Sequence, residues 1–86
     1  MTPMSIRVIV PELLRKARGL RSMDEIVKNS NGAFGKGIYS GWENGLQPKD
    51  KNKIALCDAL GVKYEKISLP LDKVPEDSKF FSIQVK

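Results

Sequence analysis

The chain contains no histidine and a single cysteine, Cys57. Without a second thiol no intrachain disulfide can form. With neither histidine nor a cysteine pair, a protein-only zinc site is excluded. Ser-His-Asp and Cys-His nucleophilic catalysis fall with the same absence. Long hydrophobic runs are also missing: no apolar stretch approaches the roughly 20 residues of a membrane-spanning helix. Met1-Thr2-Pro3-Met4-Ser5 lacks a basic segment followed by an apolar one, so no secretory signal is expected and a cytoplasmic location is. Paired carboxylates occur at Asp24/Glu25 and Glu76/Asp77, but neighbouring side chains on a helix or strand point apart. Gly32, Gly35 and Gly37 lack the Gly-x-Gly-x-x-Gly spacing that cradles phosphates. Catalysis, a cofactor, a metal, a membrane and a small-molecule substrate are therefore not expected.

What is present is a small basic chain of 86 residues with a formal charge of +5. Residues 1–68 hold 12 basic and 7 acidic side chains, whereas residues 69–86 hold 3 of each. The excess thus belongs to the first part of the chain and suits an anionic partner. At this length a single domain is expected, burying roughly 60–65% of its unfolded surface.

Ile6, Val8 and Val10 alternate in a β-branched pattern that predicts a strand over 6–10. Pro11 ends it and can open a helix. Helix 1 is expected over 11–18, with Leu13, Leu14 and Ala17 inward and Gly19 as its stop. Ser22 is placed to cap helix 2, with Glu25 completing a capping box and Ile26 and Val27 inward. Helix 2 fades at Asn29-Ser30-Asn31-Gly32, a cluster of turn formers. Residues 35–44 hold three glycines, each costing about 1 kcal/mol relative to alanine in a helix. Ile38, Tyr39 and Trp42 nevertheless form a helical apolar stripe, so helix 3 is expected there, held by packing. Asp50 is expected to cap helix 4, running from about residue 51 to 60, with Ile54, Cys57 and Leu60 inward and Leu56 beside them. A fifth short helix is expected over 64–68. Phe81, Ile83 and Val85 alternate with Ser82 and Gln84, predicting a second strand over 80–86. The fold class expected is mainly α, with a small two-stranded ribbon made by the N- and C-terminal segments. Residues 1–68 would form the helical domain, and 69–86 a connector and strand.

The sequence resembles the Cro/repressor-type (XRE-like) helix-turn-helix family of bacterial and phage DNA-binding regulators, over about residues 6–68. The resemblance rests on four blocks in order. They are Leu13-Leu14-Arg15-Lys16-Ala17-Arg18-Gly19-Leu20, Ser22-Met23-Asp24-Glu25-Ile26-Val27, Trp42-Glu43-Asn44-Gly45, and Lys53-Ile54-Ala55-Leu56-Cys57-Asp58-Ala59-Leu60-Gly61-Val62 followed by Tyr64-Glu65-Lys66-Ile67. It implies five helices in a lambda-repressor-like domain, with helix 3 in the major groove of double-stranded DNA. Two departures stand out. The span from Ser22 to Trp42 is about two residues longer than the family spacing, and Ser30–Phe34 is where the extra residues fit. The positions facing DNA in the family are here Lys36, Gly37, Ser40 and Gly41, and two glycines supply no groups to read base edges.

The expected interface is therefore Ser22 and Met23 at the start of helix 2, Lys36, Gly37, Ser40 and Gly41 on helix 3, and Asn44, Lys49, Lys51 and Lys53 beyond it. Lysines and small polar groups of this kind contact phosphates and fix register. Tyr39 and Trp42 read as core rather than base-stacking residues, Glu43 as structural and Cys57 as packing. The end strands can pair within one chain or join two chains into a homodimer, presenting two recognition units roughly 34–36 Å apart. The function this implies is a repressor-like transcription regulator. The glycine-rich helix 3 leaves a second reading, a protein-interaction, antitoxin or accessory module on the same fold.

Overall fold

A computed structural model describes residues 6–81. Its elements are β1 (Arg7–Ile9), α1 (Pro11–Arg18), α2 (Met23–Asn29), α3 (Lys36–Trp42), α4 (Asp50–Leu60), α5 (Tyr64–Ile67), β2 (Ser68–Pro70) and a 3-10 turn over Leu71–Lys73. The architecture is mainly helical, with five helices and one small antiparallel two-stranded sheet.

The local signals act where the sequence places them. Pro11 opens α1, and Gly19 ends it with φ 63°. The Ser22 hydroxyl accepts the Glu25 N–H at 3.1 Å and caps α2. Gly61, left-handed at φ 74°, ends α4. The connection after α2 turns through Asn31 and Gly32, both with positive φ. It then drops Phe34 into the core, against Trp42 at 4.9 Å and Tyr39 at 6.0 Å between ring centroids.

β1 separates two cores. Ile9 faces the main one with Leu14, Ile26, Phe34, Tyr39, Trp42, Leu56, Ala59, Leu60 and Ile67. Val8 and Val10 face a smaller one with Val74 and Phe80, flanked by Leu13, Leu69 and Phe81. Period-two alternation in a strand makes this division possible.

The expected ribbon needs correction. β1 pairs with Ser68–Pro70, in the register Arg7↔Pro70, Val8↔Leu69, Ile9↔Ser68. Phe80 and Phe81 are helical, not extended, and residues 82–86 lie outside the described residues. Phe80 is buried because Glu12 holds the segment before it: its two carboxylate oxygens accept from the Ser78 hydroxyl (2.6 Å) and the Lys79 N–H (2.9 Å). β2 lies across the expected 68/69 boundary.

Three smaller expectations also change. Asp50 is the first residue of α4 and Lys49 occupies the cap. Helix 3 stops at Trp42, with Glu43 as its cap. Ile54 and Ile38 are exposed. The buried side of α4 is Leu56, Ala59 and Leu60, and that of α3 is Tyr39 and Trp42 alone. No helix among the described residues is long and apolar enough to cross a membrane.

Candidate nucleic-acid interface

α3 is held from behind. Glu43, directly after it, is fully buried, and the Arg18 guanidinium from α1 grips both its oxygens, Nε to Oε2 at 2.7 Å and Nη2 to Oε1 at 3.1 Å. Arg15 Nε stands 3.6 Å from Oε1. Burial pushes the Glu43 carboxyl up, but hydrogen bonding and the charges of Arg18 and Arg15 outweigh it and hold it below the usual range. The bond to Glu43 likewise raises Arg18. Such a bidentate charged pair fixes orientation as well as energy.

The Tyr39 hydroxyl is buried beside this pair and has no partner with hydrogen-bond geometry. Burial, then the neighbouring carboxylate, pushes its phenol well above the ordinary range. Tyr39 and Trp42 meet edge-on at 6.2 Å. Both are core residues.

At 3.6 residues per turn, Gly37 lies opposite the buried Tyr39/Trp42 side. Lys36 and Ser40 flank it on one side, Ile38 and Gly41 on the other. A Cβ built on Gly37 meets nothing within 4 Å, so the α3 backbone is open to a partner there. Gly41 differs: its Cβ position is 2.8 Å from Leu46 Cδ1, so the Leu46 side chain covers it. Lys36 pairs with Asp24 at 3.4 Å, both side chains mostly exposed. An exposed pair of this kind is worth about 0–1 kcal/mol and leaves Lys36 available. The Ser40 carbonyl accepts the Asn44 side-chain amide at 2.8 Å, tying Asn44 to the end of α3.

The other expected contacts are dispersed. Ser22 spends its hydroxyl on the α2 cap, and the Met23 side chain packs against the main core. Asp24 and Glu25 fill the first turn of α2, adding negative charge where a phosphate would approach. Lys53 turns toward α5, 3.5 Å from Asp50 and 5.4 Å from the Tyr64 ring centre. Lys49 and Lys51 are exposed, and neither has an ion pair among the described residues.

Much of the arginine is structural. Arg7 binds the hydroxyl and carbonyl of Ser68 at 3.1 and 3.0 Å. Arg21 binds the carbonyls of Ala17, Arg18 and Leu60, covering the C-terminal ends of α1 and α4, where a cation is favoured. Charge counting could not separate these arginines from the solvent-facing lysines. Cys57 is half-buried, and burial, then Asp58, pushes its thiol up, as befits packing rather than reactivity.

A scan of protein families, a search of curated proteins and a search of solved structures find no match to this chain.

Proposed function

We propose that this chain is a sequence-selective, double-stranded DNA-binding transcription regulator. In this reading α2 and α3 form a lambda-repressor-like helix-turn-helix, with α3 in the major groove. Its chemistry is binding only, and it acts as a repressor-like homodimer occluding a promoter in the cytoplasm. The observation that carries the reading is the solvent side of α3, where Lys36, open backbone at Gly37 and Ser40 stand together on a helix fixed from behind by Arg18 and Glu43. Exposed Lys49 and Lys51 and the net charge of +5 add to it, since cationic side chains supply the sequence-independent part of DNA affinity.

The test is a fluorescence titration of the full chain against random-sequence duplex at low salt. Binding at about micromolar protein is expected. With four to six phosphate contacts, log affinity should fall against log salt with a slope of about −4 to −5. No binding under these conditions overturns the reading. It would favour the second one, a protein-interaction, antitoxin or accessory module, which open space over Gly37 beside exposed Ile38 supports by allowing another helix to approach closely.

A further inference from the structure

α3 is divided lengthwise. One flank is polar, carrying Lys36 and Ser40, and the centre at Gly37 is bare backbone. The other flank is apolar. Ile38 is 54% exposed and Leu46, lying over Gly41, is 50% exposed. Exposing a β-branched aliphatic side chain on a short helix that already carries two glycines brings no folding gain, because Tyr39 and Trp42 alone anchor α3 to the core. In the major groove each base pair shows a distinct edge, and the one apolar feature among them is the C5-methyl group of thymine. Polar reading groups on α3 are few, whereas an aliphatic surface stands beside its open backbone. A bare glycine at the centre lets the helix come close enough for a side chain as short as isoleucine to reach a base edge.

We propose that Ile38 is a specificity-determining residue that reads thymine through its C5-methyl group. The inference rests on the DNA-binding reading above and adds what that interface selects. It also separates two tasks on one helix: Lys36 and Ser40 contact phosphate or a polar edge, and Ile38 discriminates thymine from cytosine by apolar contact.

The experiment uses the full chain and a duplex enriched from a random pool. Each thymine of the enriched duplex is replaced in turn by deoxyuridine, which keeps Watson–Crick pairing and removes only the methyl group. At one position or a symmetric pair, affinity should fall about three- to fivefold per methyl, the value of burying one such group. In Ile38→Ala the same replacement should have no effect, and in Ile38→Val the effect should persist. Both variants should keep the parent circular dichroism, since the side chain is exposed. Enrichment with no methyl-sensitive thymine, or sensitivity that survives in Ile38→Ala, overturns the inference and leaves DNA binding intact. Duplex binding without any enrichment overturns it too. No binding to any duplex at low salt overturns the DNA-binding reading with it.

Discussion

The carboxamide of Gln47 pairs with the backbone of Ile9 as a neighbouring strand would. Its Oε1 accepts the Ile9 N–H at 2.8 Å and its Nε2 donates to the Ile9 carbonyl at 2.9 Å. Among the described residues β1 has a backbone partner on one edge, β2. On the other edge the Gln47 side chain from the α3–α4 connection satisfies Ile9, and the Tyr64 hydroxyl donates to the Arg7 carbonyl at 3.2 Å. Unpaired backbone groups next to a core cost about as much as a lost hydrogen bond each. Gln47→Ala is therefore expected to destabilise by about 1–3 kcal/mol in urea unfolding, and to speed hydrogen exchange at the Ile9 amide. Unchanged stability and exchange would show that water replaces the amide at no cost.

Burial and ionisation at Glu43 lead to a pH dependence. The folded carboxyl lies below its ordinary range, so the folded state holds the proton more weakly than the unfolded state does. The stabilisation is present above the unfolded value and is lost as pH falls toward and through the folded one. Stability should therefore decline on the acid side. Glu43→Ala leaves Arg18 without its partner, at a cost of about 3–5 kcal/mol, which can unfold a domain of this size outright. Glu43→Gln keeps the shape and removes the titration. Its stability should start lower at neutral pH and lose less on acidification, measured by urea unfolding at several pH values. Glu12, also held below its ordinary range, leaves some acid slope in both proteins. An acid slope as steep in Glu43→Gln as in the parent would refute the assignment.

Arg18 and Glu43 show what could be read in advance. They are 25 residues apart, and nothing in composition or periodicity announces that they meet. Both ends of α1, the start of α2 and the end of α4 were legible because Pro11, Gly19, Ser22 and Gly61 each act through local backbone chemistry. β2 was not, since Ser68-Leu69-Pro70 is too short to show alternation and follows α5 directly. Phe80 and Phe81 looked like part of a strand because aromatic residues near alternating aliphatics carry that pattern. Their helical geometry depends instead on Glu12, which holds Ser78 and Lys79. Ile38 and Ile54 fit helical stripes, yet the helices lie rotated so that Tyr39, Trp42, Leu56 and Leu60 fill the core and leave them outside. Of the expected interface, Lys36, Gly37 and the partly exposed Ser40 share one solvent-facing side of α3, while Gly41 is covered by Leu46. Ser22, Met23 and Lys53 are drawn into a cap, core packing and an ion pair, roles that depend on local and tertiary neighbours, while Lys49 and Lys51 stay exposed.

The buried Tyr39 hydroxyl makes no hydrogen bond of good geometry, although the Glu43 carboxylate stands beside it. An unsatisfied buried polar group costs about 1–3 kcal/mol, and replacing it by an apolar group of the same shape can be neutral or stabilising. A hydroxyl in poor geometry beside a carboxylate gains little, so Tyr39→Phe should stay within about 1 kcal/mol of the parent at neutral pH. The raised phenol value adds a second readout. Its contribution is fully present below the unfolded tyrosine value, near pH 10, and is lost as pH rises beyond that. The stability of Tyr39→Phe relative to the parent should accordingly rise under alkaline conditions. A larger loss of stability in Tyr39→Phe at neutral pH would show that the hydroxyl holds the Glu43 carboxylate.

Gly37 and Gly41 lie one turn apart on α3 and should respond oppositely to the same change. Alanine in a helix interior gains up to about 1 kcal/mol over glycine. At Gly37 nothing opposes the added methyl, so Gly37→Ala should raise thermal stability. At Gly41 the new Cβ falls 2.8 Å from Leu46 Cδ1. Leu46 is half exposed and can turn away, but only by giving up its packing, so Gly41→Ala should gain less than Gly37→Ala or lose outright. Trimming Leu46 to alanine in the Gly41→Ala background should recover part of the helix gain. The two glycines also separate folding from binding. If duplex DNA approaches α3 at its open backbone, Gly37→Ala places a methyl group in the contact and weakens affinity while the fold becomes more stable. Unfolding cannot produce that combination of opposite signs. Raised stability with unchanged duplex affinity would move the contact away from the centre of α3.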